Sequence, residues 1–422
     1  MTTYELKILE PLKRERDQGE ERYGGPPPPK HGRIIGLDCH PDSFTAAVWR
    51  GSTPHDGRRE VLRENLTLAR LLEWAGRDFS REDLFLMEAG GNSFEIARRL
   101  LALGLRVVVL ESAHVGKHAK TYADNDKMAA SRIVLVYLAG NAPCVWMPDG
   151  ETCQRRELLH AHQKAVADHT AAGNSLKGYL NQFAIRLGKR GIKDERTREW
   201  ILNQRAWSPL QRELLGDYLE ELDNQAERRK KLHRLIAREV CAEPLMLRCM
   251  KLLGIGVINA FALLAIIGDV RRFERPEKLV AYLGLNPGQR QSGHGKNIRL
   301  GIGRRGRSDM RHLLIQGAQA VLRMGKATPL GQWGWKLFAR KGNRNTAVAA
   351  VARKLVVQVW HLLSGNAPTV LEENKSVALK LQKLIVILGK SMRAEMGLPV
   401  SLRECSLELQ KRILASYERV HQ

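Results

Sequence analysis

Between residue 33 and about residue 150, short apolar blocks alternate with longer periodic ones. RIIGLD, SFTAAVWRG, a segment around Glu60 to Leu66, DLFLMEA and RVVVLE each read as a strand. SFEIARRLLALG and DKMAASRIVLVYLAG carry apolar residues three and four positions apart, the period of a helix. Strands interleaved with helices predict one compact α/β domain over residues 33 to 150. Ahead of it, residues 1 to 32 combine charge with the run from Gly24 to Pro29, which cannot bury an apolar face and is expected to form a flexible leader.

Residues 151 to 240 change to long helical periodicity with many charges, and Ser208-Pro209 marks a helix start ahead of Leu214, Tyr218 and Leu222. A paired-helix or coiled-coil arm fits this pattern, as does a helical bundle with a solvated charged face. LLGIGVINAFALLAIIGDVRRFERPEKLVAYLGL predicts two apolar helices opened by a turn at Gly254 and Gly256. Glycines there let backbone amides approach a phosphate, as in a helix-hairpin-helix DNA clamp, although a simple helix turn has the same sequence. The polar, glycine-rich NPGQRQSGHGKNIRLGIGRRGRS leads into helices ending near Leu363. Residues 241 to 365 are therefore expected to form a mainly helical domain, followed by an amphipathic extension, 366 to 422, without an interpretable motif.

Composition narrows the partners. Of 422 residues, 69 are Lys or Arg and 45 are Asp or Glu, giving a formal charge of +24. Such an excess favours a polyanion, because each cation that neutralises a phosphate releases a counterion. A basic membrane-surface or ribosome-associated protein would have the same charge. No apolar run stands out as long enough to span a bilayer, so no membrane partner is expected. Cys39, Cys144, Cys153, Cys241, Cys249 and Cys405 show no CxxC spacing, which argues against a zinc site or disulfide framework and for a reducing cytoplasm.

Three carboxylates carry the chemistry. Asp38 ends the first strand in GLDCH, Glu88 ends the fourth in LFLMEAGG, and Asp126 opens a helix in ADNDKMAAS. Acids at neighbouring strand ends and at a helix start can converge to hold Mg²⁺ or Mn²⁺ for phosphoryl transfer, as in an RNase H-like fold. Singly, each has an ordinary reading as a turn or helix cap. The GLD, MEA and NDK segments together resemble the DEDD-type insertion-sequence transposases, whose first domain is RuvC-like. In that family the helix motif supplies two aspartates one turn apart. Here Asp126 is the first, but Ala129 stands three residues later. The resemblance therefore implies reduced or blocked cleavage, whether the chain is naturally impaired, Asp124 substitutes, or the sequence was altered to trap a complex before chemistry.

A second resemblance covers LLGIG, VAYLGLNPGQRQSGHGK, RLGIGRRGRSDMRHLLIQGAQAVLR and NTAVAAVARKLVVQVWHLL. In this order the blocks are similar to the transposase domain of the bridge-RNA-guided family numbered one hundred and ten, subgroup eleven-eleven. The resemblance implies that Ser292 is the nucleophile; family members often carry a second serine where this chain has Gly293. A serine hydroxyl is a weak nucleophile and needs a cationic setting. Arg290, Lys296, Arg299, Arg304, Arg305, Arg307 and Arg311 supply one, although a Ser-Gly basic loop is also an ordinary phosphate-contacting turn.

The family further implies a phosphoserine intermediate, metal-binding carboxylates from one subunit with serine from another, and dimers pairing into tetramers. It also implies a structured noncoding guide RNA that pairs with donor and target DNA, in a cytoplasmic, nucleoid-associated protein. His160, Asn174 and Lys177 are candidate RNA contacts or simply a solvated helix face. The competing readings are a Holliday-junction-type metal-dependent nuclease and a noncatalytic nucleic-acid-binding protein.

Overall fold

Alternation along two parallel strands decides the layering around the carboxylates. In a computed structural model describing residues 32–117, 125–187, 192, 194–290, 298–303, 306–325, 328–365 and 374–418, the chain divides into two units, Met1–Met147 and Pro148–Gln422. The first contains β1 (Ile34–Cys39), β2 (Phe44–Arg50), β3 (Arg58–Leu66), α1 (Leu68–Asp78), β4 (Leu84–Glu88), α2 (Ser93–Ala102), β5 (Arg106–Leu110), α3 (Ser112–Lys117) and α4 (Asp126–Leu138). The sheet order is β3-β2-β1-β4-β5, with β1 antiparallel to β2 and parallel to β4. β3 is antiparallel to β2, and β5 is parallel to β4. This mixed α/β unit is compatible with an RNase H-like part.

Ile35, Leu37, Phe85 and Met87 turn to one face and share a core with Leu71 and Trp74 of α1 and Ile96 and Leu100 of α2. Ile34, Leu84 and Leu86 turn to the other, against Ile133, Val134 and Tyr137 of α4. The two-residue period of a strand then puts Asp38 and Glu88 on the α4 face. α4 reaches that face closely because β1 carries Gly36. A Cβ there would lie 2.1 Å from the Ala130 carbonyl oxygen and 2.8 Å from Val134 Cγ2. Lys127 Nζ also pairs with Glu64 Oε1 of β3 at 3.0 Å.

The second unit is helical apart from one strand pair. Its elements are α5 (Gly150–Asn181), α6 (Glu195–Asn203), α7 (Pro209–Ala242), α8 (Pro244–Cys249), α9 (Val257–Ile267), α10 (Pro276–Tyr282), β6 (Pro287–Arg290), β7 (Ile298–Ile302), α11 (Ser308–Arg323), α12 (Pro329–Lys341), α13 (Arg344–Leu363), α14 (Asn374–Glu395) and α15 (Leu402–Glu418). α5 packs along α7. The Ser208 hydroxyl accepts from Gln211 N while the Gln211 side chain accepts from Ser208 N, a reciprocal cap that fixes where α7 begins. Leu176, Tyr179, Leu180, Trp207 and Leu215 form a separate apolar cluster at one end of the pair.

The glycine-rich segment that leads into these helices carries the antiparallel pair β6 and β7, not singled out as strands from the sequence, in which Arg290 stands opposite Ile298. The residues after 365 are not set apart from the helices before them. Leu381, Leu384, Leu388, Cys405 and Leu409 join the same core as α9 and α13. Lys380 Nζ donates to the Met250 and Leu252 carbonyls, each at 2.8 Å. The expectation about apolar runs needs one amendment, since α13 is long and apolar enough to cross a bilayer by length and composition. Its buried face, from Ala347 to Leu362, packs into the core of this unit. The expected leader lies almost wholly outside the described residues.

Close approach of α4 to β1 predicts a sharp difference between two glycine substitutions. Gly36→Ala should destabilise the first unit by about 2–4 kcal/mol, because backbone or helix must shift to admit the methyl group. Gly91→Ala, where an added Cβ meets nothing within 4 Å, should change stability by less than about 0.5 kcal/mol. Urea denaturation followed by tryptophan fluorescence would check both.

Candidate active site

Parallel pairing of β1 with β4 continues in register up to Leu37 opposite Met87, so the next residues, Asp38 and Glu88, leave the sheet side by side. The C-terminal ends of parallel strands are open to ligands, because the chain turns away there. α4 then presents its first residue, Asp126, to the same place. Asn125, not Asp126, caps this helix, with Asn125 Oδ1 accepting from Met128 N at 3.0 Å. The Asp126 carboxylate is thereby left available, and its side chain is 57% exposed. Ala129 lies one turn further along the same helix and brings no donor.

His40 belongs to this constellation as well. Its Nε2 lies 3.4 Å from Asp38 Oδ2 and 3.4 Å from Asp126 Oδ1. One donor atom from each of Asp38, His40 and Asp126 falls within 4.8 Å of the others, so these three residues could hold a metal ion. The turn carrying His40 is fixed from both sides. His40 N donates to the Ser43 carbonyl at 3.0 Å, and Asn92 Nδ2 donates to the His40 carbonyl at 2.9 Å.

Electrostatics shows an excess of negative charge. Burial raises the Asp38 carboxyl above its ordinary range, and Asp126 pushes it the same way, against the pull of His40 and Arg132. Glu88 is raised by burial and by Asp38, with Arg132 opposing. Two neighbouring acids that resist ionisation together form a place where a divalent cation is favourable. Oxygen-rich donors with one imidazole suit Mg²⁺, Mn²⁺ or a similar ion. Cys39, between Asp38 and His40, is not a plausible thiolate ligand: burial pushes its thiol up to about 12. It packs against the core on the opposite face of the sheet.

Sequence reasoning pointed to Asp38, Glu88 and Asp126; the structure brings Asp38 and Asp126 together with His40, leaves Glu88 at the neighbouring strand end outside that trio, and adds Arg132, neither His40 nor Arg132 having been singled out. His40 was visible as the last residue of GLDCH, yet its ring points back to the carboxylates only because the following turn is tight. Arg132 lies within the apolar run of α4 and had no distinguishing local signal.

Ser292, Lys296, Arg304, Arg305 and Asp124 lie outside the described residues. Arg290 and Arg299 belong to β6 and β7, whose pairing brackets Ser292 in sequence. Two of the proposed nucleic-acid contacts already have internal partners. The Arg307 guanidinium makes a two-pronged pair with Asp309, at 3.1 and 2.7 Å, and Arg311 Nη1 donates to the Gly303 carbonyl at 2.6 Å. Gly254 has a packing reason for being glycine: its φ is +82°, and an added Cβ would lie 2.5 Å from the Gly317 carbonyl. Gly256 precedes α9, with open space around a would-be Cβ.

Comparison with known proteins places these features in context. Residues 247–330 match the family described as Transposase IS116/IS110/IS902. The chain is similar to the "Probable family 20 transposase" of Pseudomonas aeruginosa, 31% identical over 342 residues, which span 78% of this chain and 96% of that protein. It is also similar to the "Transposase for insertion sequence element IS1111A" of Coxiella burnetii, 28% identical over 66% of this chain and 77% of the relative. A third relative, the "Transposase for insertion sequence element IS1328" of Yersinia enterocolitica, is 25% identical over 65% and 81% respectively.

The raised carboxyls carry a pH prediction. Glu88 binds its proton more tightly in the fold than in the unfolded chain, so its ionisation costs stability as pH rises through the folded value. In metal-free protein, Glu88→Gln should raise Tm slightly at pH 7, on the order of 1 °C after solvent screening. The gain should vanish below about pH 4.5, where both forms are neutral. Calorimetric melting of the two proteins across this pH range would measure it.

Proposed function

Because the chain belongs to the IS116/IS110/IS902 family of insertion-sequence transposases, we propose that it cuts and rejoins DNA through a phosphoserine intermediate, guided by a structured noncoding RNA. The observation that carries this reading is the convergence of Asp38 and Asp126 with His40, beside Glu88 at the end of the neighbouring parallel strand, on a sheet order compatible with an RNase H-like part. Asp38, Asp126 and Glu88 would hold the divalent cation, Mg²⁺ or Mn²⁺. Such an ion, when bound, neutralises charge on the phosphate and polarises it toward attack.

In the proposed reaction, the Ser292 hydroxyl attacks phosphorus and one DNA end departs as an alcohol. The phosphodiester energy persists in the serine link, so the reverse attack by a new DNA hydroxyl rejoins strands without a nucleotide cofactor. Arg132 balances part of the charge of the acidic group, acting on both Asp38 and Glu88. Gly254, Gly256, Arg290, Lys296, Arg299, Arg304 and Arg305 are proposed to meet phosphates, while Arg307 and Arg311 hold the local chain. Support for a nucleic-acid partner comes from the +24 formal charge and from sequence relatives that are named transposases. Guide RNA and assembly into dimers that pair as tetramers follow from the family resemblance.

Ser292→Ala should abolish covalent attachment to labelled DNA and lower strand joining by roughly 10³-fold or more. Denaturing gels would measure both. If metal-dependent hydrolysis persists unchanged and no adduct ever forms in the parent, the Holliday-junction-type nuclease reading replaces this one.

Ala129→Asp should raise cleavage with Mg²⁺ by about tenfold or more, because it restores a carboxylate one turn after Asp126. No gain, together with no nicking or adduct, would favour the noncatalytic binding protein. RNA that copurifies with the protein should have a defined length, whereas random fragments would count against guidance.

A further inference from the structure

We propose that His40 is a direct metal ligand, completing through its Nε2 the donor set that lacks a carboxylate at position 129, and that the site consequently selects Mn²⁺ over Mg²⁺. The inference rests on the metal-dependent reading of the acidic cluster and adds a ligand to it.

His40 stands between two carboxylates, where one cation could take the place of two ion pairs. A charge-assisted hydrogen bond between imidazolium and carboxylate closes to about 2.7–2.9 Å. His40 Nε2 stands 3.4 Å from both Asp38 Oδ2 and Asp126 Oδ1, shared equally between the two carboxylates and longer than that ideal. Donors held at about 2.1 Å from one ion lie about 3.0 Å apart when adjacent in an octahedron. The observed separations are a few tenths of an ångström from those of donors on one ion, so a small side-chain adjustment would bring all three onto it. The ring is 49% exposed, so it faces the site from solvent and can meet an ion without being dug out of the core.

The backbone explains how the ring is aimed. His40 N to Ser43 O and Asn92 Nδ2 to His40 O fix the turn between β1 and β2, leaving side-chain rotation as the main freedom. A ligand placed on so restrained a turn loses little entropy on binding. The neighbouring thiol does not compete, since Cys39 Sγ turns to the Leu37 carbonyl on the core side.

The donor set then decides the ion. Mg²⁺ takes oxygen ligands and keeps several waters, so an imidazole adds little to its binding. Mn²⁺ shares the preference of Mg²⁺ for carboxylate and water but is the first, weakest-binding member of the divalent transition series, so it gains from a nitrogen donor where Mg²⁺ does not. Among the described residues, the only group of His, Cys, Asp and Glu side chains close enough to hold one ion is this trio, and it contains one nitrogen and two carboxylates.

The test compares the full-length parent with H40Q, H40D and D38N, titrated with MnCl₂ or MgCl₂ without DNA. Free Mn²⁺ is followed by electron paramagnetic resonance, and Mg²⁺ by calorimetry. Far-ultraviolet circular dichroism confirms that each variant is folded. H40Q should weaken Mn²⁺ by about tenfold or more, change Mg²⁺ by less than about threefold, and remove ¹⁴N coupling from the bound-Mn²⁺ spin-echo spectrum. H40D should lose the nitrogen coupling and narrow the preference between the two ions. D38N should weaken both ions. If H40Q retains the parent's Mn²⁺ affinity and the ¹⁴N signal while D38N loses binding, His40 is not a ligand and the acidic metal site stands without it. If the parent binds neither ion saturably, the metal-dependent reading fails together with this inference.

Discussion

The chemistry proposed for Asp38, His40 and Asp126 depends on how closely α4 lies on β1. Gly36 removes the side chain that would otherwise meet the Ala130 carbonyl, so the helix backbone settles directly against the strand. This contact places the start of α4 beside the ends of β1 and β4. Ion pairing of Lys127 with Glu64 holds the same end of the helix to β3. Asp126 reaches Asp38 and His40 because of this packing, not because of any local sequence preference. A wider helix-to-sheet spacing, of the ordinary kind set by a Cβ, would separate the carboxylates and remove the charge crowding that makes a cation favourable there.

That crowding is the second constraint. Carboxylates kept partly from water and close to one another cost stability in the metal-free fold, and Arg132 offsets only part of the cost. Active sites commonly retain such unfavourable groups because function requires them. Here an acid from the end of β1 and one from the start of α4 lie with a histidine from the turn after β1, and Glu88 ends the neighbouring strand beside them. Nothing else among the described residues brings comparable donor atoms together.

Much of the fold was legible in the sequence because the signals are periodic. RIIGLD and DLFLME alternate faces strictly, and their last residues fall on the α4 side for that reason. The long helix from Pro209 was marked by the pair Ser208-Pro209, and the Ser208 cap with Gln211 is local chemistry. What escaped reading is tertiary. β6 and β7 form because each supplies the other's hydrogen bonds, although neither has a strand-like composition. α14 and α15 carried no motif, yet Leu384 and Leu409 are core residues whose partners lie far away in sequence. Gly254 was read from its GxG spacing alone, and its close contact with Gly317 became visible only once α9 and α11 were packed. His40 and Arg132 escaped for the same reason, since their roles come from neighbours that the chain brings in later.

The most direct test of the account is the position of a bound divalent ion. Fe²⁺ can replace Mg²⁺ or Mn²⁺ in such a site and, with ascorbate and peroxide, cleave the nearby polypeptide backbone. Mass spectrometry of the fragments should find cuts clustered around residues 38 to 40, 88 and 126, suppressed by excess Mn²⁺ and lost in Asp38→Asn. Cuts confined to other parts of the chain, or cuts at these positions that excess Mn²⁺ does not suppress, would contradict the assignment of this site.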